Sequence, residues 1–164
     1  MNQPGLHEDP SRTTPMGVLR YASEYLEAAL AADDKMGSKN GYEIIAPIPV
    51  LFLVGQSIEL SLKAFLLSEG VSLRKLRQKY GHELHRSLRK AKELGLNNLV
   101  QLSDEELTVI EVLDHSYSSK QLQYIVTGAR TFPSFGPLEK AALKLCHAVG
   151  GEVGYQPRNI ANAL

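Results

Sequence analysis

Apolar residues recur at helical spacing along most of the chain, and glycine and proline separate one periodic stretch from the next. Residues 1–14 show no such period and contain Pro4, Gly5 and Pro10, so they are expected to form a mobile arm. Thr14 then offers a side-chain oxygen to the first turn of a helix, with Pro15 where its missing N–H costs nothing. Val18, Leu19, Ala22, Tyr25, Leu26, Ala29 and Leu30 give that helix one apolar face, and it is expected to end near Met36-Gly37. A second helix is expected from Pro49 to Glu69, with Gly70 taking the left-handed terminating conformation. Its opening residues, Pro49 to Val54, are apolar all round. After Gln56 the pattern places Ile58, Leu62, Phe65 and Leu66 inward, and Glu59 and Lys63 outward as an ion pair one turn apart. This is the candidate for the central helix.

A short helix is expected from Ser72, with Leu73, Leu76 and Tyr80 on one face and Gly81 as its stop. The next should run from about His82 to Leu94, with Leu84, Leu88 and Ala91 inward and Arg86, Arg89 and Lys90 outward. Ser103 and Glu106 form a capping-box pattern ahead of a helix that turns Leu107, Ile110, Leu113 and Tyr117 inward. Residues 119–136 lack a helical period, and alternation at Leu122, Tyr124 and Val126 allows a short extended segment, or a functional loop packed as a lid. Pro137 opens a last helix that Gly150-Gly151 should end, leaving a loosely held tail from residue 152 to 164. The expected architecture is an all-α bundle of five to six helices over residues 15–151.

Composition adds limits. The 164 residues are 43% hydrophobic and 22% charged, within the range of one ordinary globular domain. The single cysteine, Cys146, excludes an internal disulfide framework and suits a cytoplasmic protein. No secretory pattern opens the chain, and the apolar run Ile44 to Val54 is too short to cross a bilayer, so no membrane association is expected. The net charge is zero, but eight basic side chains and only Glu83 and Glu93 fall within residues 71–93. Residues 94–119 carry five acids and no Lys or Arg. Such a basic stretch is a solvated face, a phosphate-binding surface, or one half of a pairing with an acidic helix of a second subunit.

Several chemistries have no support in the sequence. There is no glycine-rich phosphate loop, and Gly55-Gln56-Ser57-Ile58-Glu59 lacks the second glycine and the strand-to-helix turn of a nucleophile elbow. His82 and His85 have no third ligand at a recognised spacing, so no metal and no cofactor is expected. Cys146 and His147 are adjacent and therefore point about 100° apart on a helix, which prevents a nucleophile–base pair.

Three segments carry a resemblance. They are Ser57-Ile58-Glu59-Leu60-Ser61-Leu62-Lys63-Ala64-Phe65-Leu66-Leu67, then Lys79-Tyr80-Gly81-His82-Glu83-Leu84, then Ala91-Lys92-Glu93-Leu94-Gly95-Leu96. An acid-to-lysine helix, a short linker and a Tyr-Gly-His-acid-Leu helix start resemble the HEPN (higher eukaryotes and prokaryotes nucleotide-binding) superfamily across residues 50–96. The resemblance implies an antiparallel helical bundle, a homodimer, and a role between metal-independent RNase toxin and non-catalytic nucleotide or RNA binder. It also implies pairing with a nucleotidyltransferase-like partner. Catalytic members carry Arg-x4-6-His near the start of a late helix. This chain departs from that pattern, because its last helix has Lys140, Lys144 and His147 without a suitably placed arginine.

The spacing occurs once elsewhere, from Arg77 to His82 across Gly81. Arg77, His82 and His147 are therefore the candidate catalytic residues, with the histidine as acid or base and the arginine on phosphate. Glu59, Lys63, Arg74, Lys79, Arg86, Arg89, Lys90, Tyr124 and Arg130 are the candidate ligand-binding residues. Each has a plainer reading. His82 can cap its helix or bond a carboxylate, Glu59 and Lys63 can be an ordinary ion pair, and Phe132 and Phe135 can simply pin the long loop. The favoured expectation is a non-catalytic protein that binds nucleotide or RNA phosphate, with a metal-independent endoribonuclease or a pure interaction module as alternatives. A homodimer would cover the apolar opening of the second helix.

Overall fold

The computed structural model describes residues 10–124, 128–157 and 160. Residues 1–9 of the expected arm lie outside them, as do Val126 and residues 158, 159 and 161–164 of the expected tail. Among the described residues there are six α-helical segments and no strand: α1 Pro15–Met36, α2 Ile48–Ser68, α3 Leu73–Lys75, α4 Leu84–Glu93, α5 Asp104–Ser118 and α6 Phe135–Val153. A π-helical turn, Leu76–Tyr80, continues α3, and short 3-10 turns occupy Pro10–Arg12 and Leu96–Asn98.

Capping chemistry sets several ends where the sequence placed them. Thr14 Oγ1 accepts the Gly17 N–H at 3.0 Å, and Pro15 is the first residue of α1. At α5, Ser103 Oγ accepts the Glu106 N–H while the Glu106 carboxylate accepts the Ser103 N–H, closing the capping box. Gly95, with φ at 100°, stops the chain beyond α4 in a conformation that a side chain would strain.

Three boundaries differ from expectation, each for a tertiary reason. Helix α4 starts at Leu84 rather than near His82, because the Asp114 carboxylate of α5 takes the Leu84 and His85 N–H groups at 2.8 and 3.1 Å. Helix α6 starts at Phe135, two residues before Pro137, where the Phe135 N–H bonds Ile44 O at 2.9 Å. It then passes through Gly150-Gly151 to Val153, and Gly154 in the left-handed region ends it. Gly150 instead serves a close approach, since a Cβ there would sit 2.5 Å from Tyr155 O. Within the long loop, residues 121–124 form turns rather than an extended segment.

Helix α2 is the centre of the bundle and packs on α1, α4, α5 and α6. Its length and composition would suffice to cross a membrane, a property of the whole helix that the run Ile44 to Val54 does not reveal. Most of it is buried within the bundle, as in the core helix of a globular fold. Val50, Leu51 and Val54 are fully enclosed, and Phe52 and Leu53 pack half-buried on the same core. The apolar opening of α2 is thus largely covered by its own chain.

Candidate functional site

The first group of site residues converges on Glu59. The helical pattern put this side chain on an outer face, and the structure corrects that: Glu59 is 3% exposed. The reason is that α2 is covered on this side too, by the turn ahead of α4 and by the last turn of α5. Lys63, one helical turn on, forms an ion pair with Oε1. The Tyr117 hydroxyl donates to Oε2 at 2.6 Å, and His82 Nδ1 lies 3.0 Å from the same oxygen. A buried carboxylate is tolerated only when it is paired and hydrogen-bonded, and these three partners supply both conditions. Burial, and then the charge of Glu59, push the Tyr117 hydroxyl far above its ordinary pKa, so it remains a donor. The Tyr117 ring reaches this position over Gly55, where a Cβ would stand 2.5 Å from its Cδ2.

His82 bridges inside and outside. Its side chain is 54% exposed although Nδ1 is engaged, so the other face of the ring is open to solvent. Gly81, at φ 46°, makes the turn that delivers it. Arg77 is not brought to this ring. It lines a different groove of about 570 Å³ with Arg74, Leu67, Leu73 and Gln78. His147 lies on the far side of the sequence in α6, half-buried, with Nε2 3.2 Å from Ile160 O.

The basic residues gather in two places. Lys79, Arg86, Arg89 and Lys90 line one open groove of about 530 Å³ together with Gln78 and Tyr80. Arg86 is fixed there, donating to Lys79 O at 2.9 Å and pairing with Glu83 at 3.2 Å. Lys90 pairs with Glu93 at 3.0 Å. Lys79 and Arg89 have no carboxylate partner among the described residues, nor do Arg74 and Arg77 across the neighbouring groove. Arg89 also borders a smaller cleft of about 250 Å³ between α4 and α5.

The long-loop residues stand apart from these grooves. Tyr124 is 66% exposed, and Arg130 is tied back by a bond from Nη1 to Gln121 O at 3.1 Å. Phe132 and Phe135 pack on the core and hold the loop to the bundle. Lys144 pairs with the buried Glu106 at 2.8 Å and joins α6 to α5. Burial alone would raise Glu106, but the Lys144 ammonium and the Ser103 N–H outweigh it and hold the carboxyl below its usual range.

Four residues matter here that the sequence did not single out as site residues: Tyr117, Asp114, Gly55 and Gln78. Tyr117 was legible as an inward position of α5, yet no spacing connects it to a carboxylate 58 residues earlier. Helix capping by Asp114 has the same character, since Leu84 stands 30 residues away in the chain. No protein-family model matches the sequence, and no curated protein or solved structure gives a significant match.

Proposed function

We propose that this helical protein binds the phosphate groups of a nucleotide or RNA through the basic groove between the Leu76–Tyr80 turn and α4, without itself being a catalyst. The observation carrying this proposal is that Lys79, Arg86, Arg89 and Lys90 line one groove, and that Lys79 and Arg89 are left without carboxylate partners among the described residues. Glu83 and Glu93 each neutralise one cation of the groove, so a net positive field persists. Arg86 is anchored by two protein contacts, which gives the groove a fixed donor beside two adaptable ones. Tyr80, half-buried in the same wall, offers a face on which a base can stack. The HEPN resemblance points the same way, and a nucleotidyltransferase-like protein is the partner it implies.

Binding of labelled RNA should weaken as salt rises, and Arg89→Ala with Lys79→Ala should reduce both affinity and salt dependence. Affinity indifferent to salt and to both substitutions would reduce this groove to a solvated surface.

One observation favours a second role, that of a metal-independent endoribonuclease. Glu59 holds the His82 ring through Nδ1 while the side chain stays 54% exposed, an arrangement suited to general acid–base work. RNA cleavage in EDTA by the wild type, lost in His82→Ala with the fold intact, would establish it. Absence of cleavage would leave His82 as the clasp between α4 and Glu59.

A further inference from the structure

We infer that the two basic grooves form one continuous track for a single-stranded polynucleotide, so that the ligand is an oligonucleotide backbone rather than a lone nucleotide. This rests on the phosphate-binding role proposed above and extends it. The segment formed by α3 and the Leu76–Tyr80 turn lines both grooves, and they share one wall residue, Gln78. Arg74 and Arg77 line one groove with Gln78, and Lys79 and Arg89 line the other with it.

All four of these side chains are exposed, and none has a carboxylate partner among the described residues. The two nearby acids are already occupied by Arg86 and Lys90. Like charges held close together without counter-charges repel one another, and a polyanion laid across them converts that repulsion into binding. A mononucleotide would fill one groove and leave the other pair uncompensated.

The shape distinguishes a strand from a membrane. Both sites are concave, with half-buried Leu67 and Leu73 on one floor and Tyr80 in the other wall, so each provides apolar surface beside its cations. Single-strand binders combine a cationic groove with such platforms for bases. A bilayer surface would meet the rims of the grooves and not their floors.

The test uses the full chain and fluorescein-labelled uridine oligonucleotides of three and eight residues, with binding followed by anisotropy at several salt concentrations. Each phosphate neutralised on a single strand contributes about 0.7 to the slope of log affinity against log salt. The eight-residue RNA should therefore show a steeper slope than the three-residue one. Arg74→Ala with Arg77→Ala, and separately Lys79→Ala with Arg89→Ala, should each weaken the longer RNA at least tenfold and lower its slope by about 1.4, two phosphates' worth. Circular dichroism and the unfolding midpoint should stay unchanged in both, since the four side chains are exposed.

If the Arg74/Arg77 pair is silent while the Lys79/Arg89 pair weakens binding, the continuous track is wrong and the single-groove function stands. If both pairs are silent, or the wild type binds no RNA, both proposals fall. Equal affinity for phosphatidylserine vesicles, with the same response to the substitutions, would overturn the oligonucleotide as the occupant.

Discussion

Replacing Tyr117 by Phe tests the account of the buried carboxylate most directly. The substitution keeps the ring against Phe52 and over Gly55 and removes only the hydroxyl that donates to Glu59 Oε2 at 2.6 Å. Hydrogen bonds to a charged group contribute about 1.5–3 kcal/mol. The lower part of that range applies here, because Glu59 keeps Lys63 on one oxygen and His82 on the other, and no buried donor is orphaned. A loss of about 1.5–2 kcal/mol is expected, which for a chain of this length lowers the unfolding midpoint by about 3–8 °C. Urea denaturation followed by circular dichroism measures the loss, with an unchanged denaturant slope showing that the same two states are compared. Glu59→Gln should cost more, since it also dissolves the pairing with Lys63. The double variant should reveal a coupling of about 1 kcal/mol or more between positions 59 and 117. A Tyr117→Phe loss below about 0.5 kcal/mol, or a coupling near zero, would refute the view that this contact holds α5 to α2.

Gly55→Ala should destabilise by about 1–3 kcal/mol, because its methyl would lie 2.5 Å from the Tyr117 ring and force that ring off its seat; an unchanged unfolding midpoint would count against this. Asp114→Ala removes the acceptor for two N–H groups at the start of α4 and should cost about 1–2 kcal/mol in the same assay. Burial, followed by the charges of Asp33 and Asp34, raises the carboxyl of Glu139, so the folded state binds that proton more tightly than the unfolded chain does. The resulting penalty is absent below the ordinary carboxylate pKa and grows as pH rises through the raised value. Glu139→Gln should therefore raise the melting temperature slightly at pH 7 and leave it unchanged near pH 3, and equal shifts at both would contradict the electrostatic cause. Burial pushes the Cys146 thiol up to about 12, opposed by the hydroxyls of Ser61 and Ser23, so iodoacetamide at pH 8 should react readily only after denaturation.

Much of the architecture was legible along the chain. Thr14-Pro15, the Ser103/Glu106 box and Gly95 act through contacts a few residues apart, and each appears in the structure where the pattern put it. The basic character of residues 71–93 was equally plain, whereas the pattern left Phe132 open as a base contact beside Tyr124 and Arg130 or as a pin for the loop, and packing on the core gives it the second place. Long-range capping was not legible. Asp114 moved the start of α4, and Ile44 O fixed the start of α6, through partners that local spacing cannot identify.

The sequence by itself determined an all-α chain, its central apolar helix, most of its caps and a concentration of positive charge ahead of an acidic stretch. These follow from periodicity and from backbone groups that neighbouring side chains satisfy. Only the tertiary structure decided that Glu59 is buried, that Tyr117 and His82 meet it, and that Arg77 faces a groove separate from His82. It also decided that Gln78 lines both of the grooves that hold uncompensated cations. A helical pattern reports which side chains share a face, but whether a polar face meets water or another helix depends on residues 23 and 58 positions away. Burial of a charge is a property of what covers it, and that is set by packing between helices rather than by spacing within one.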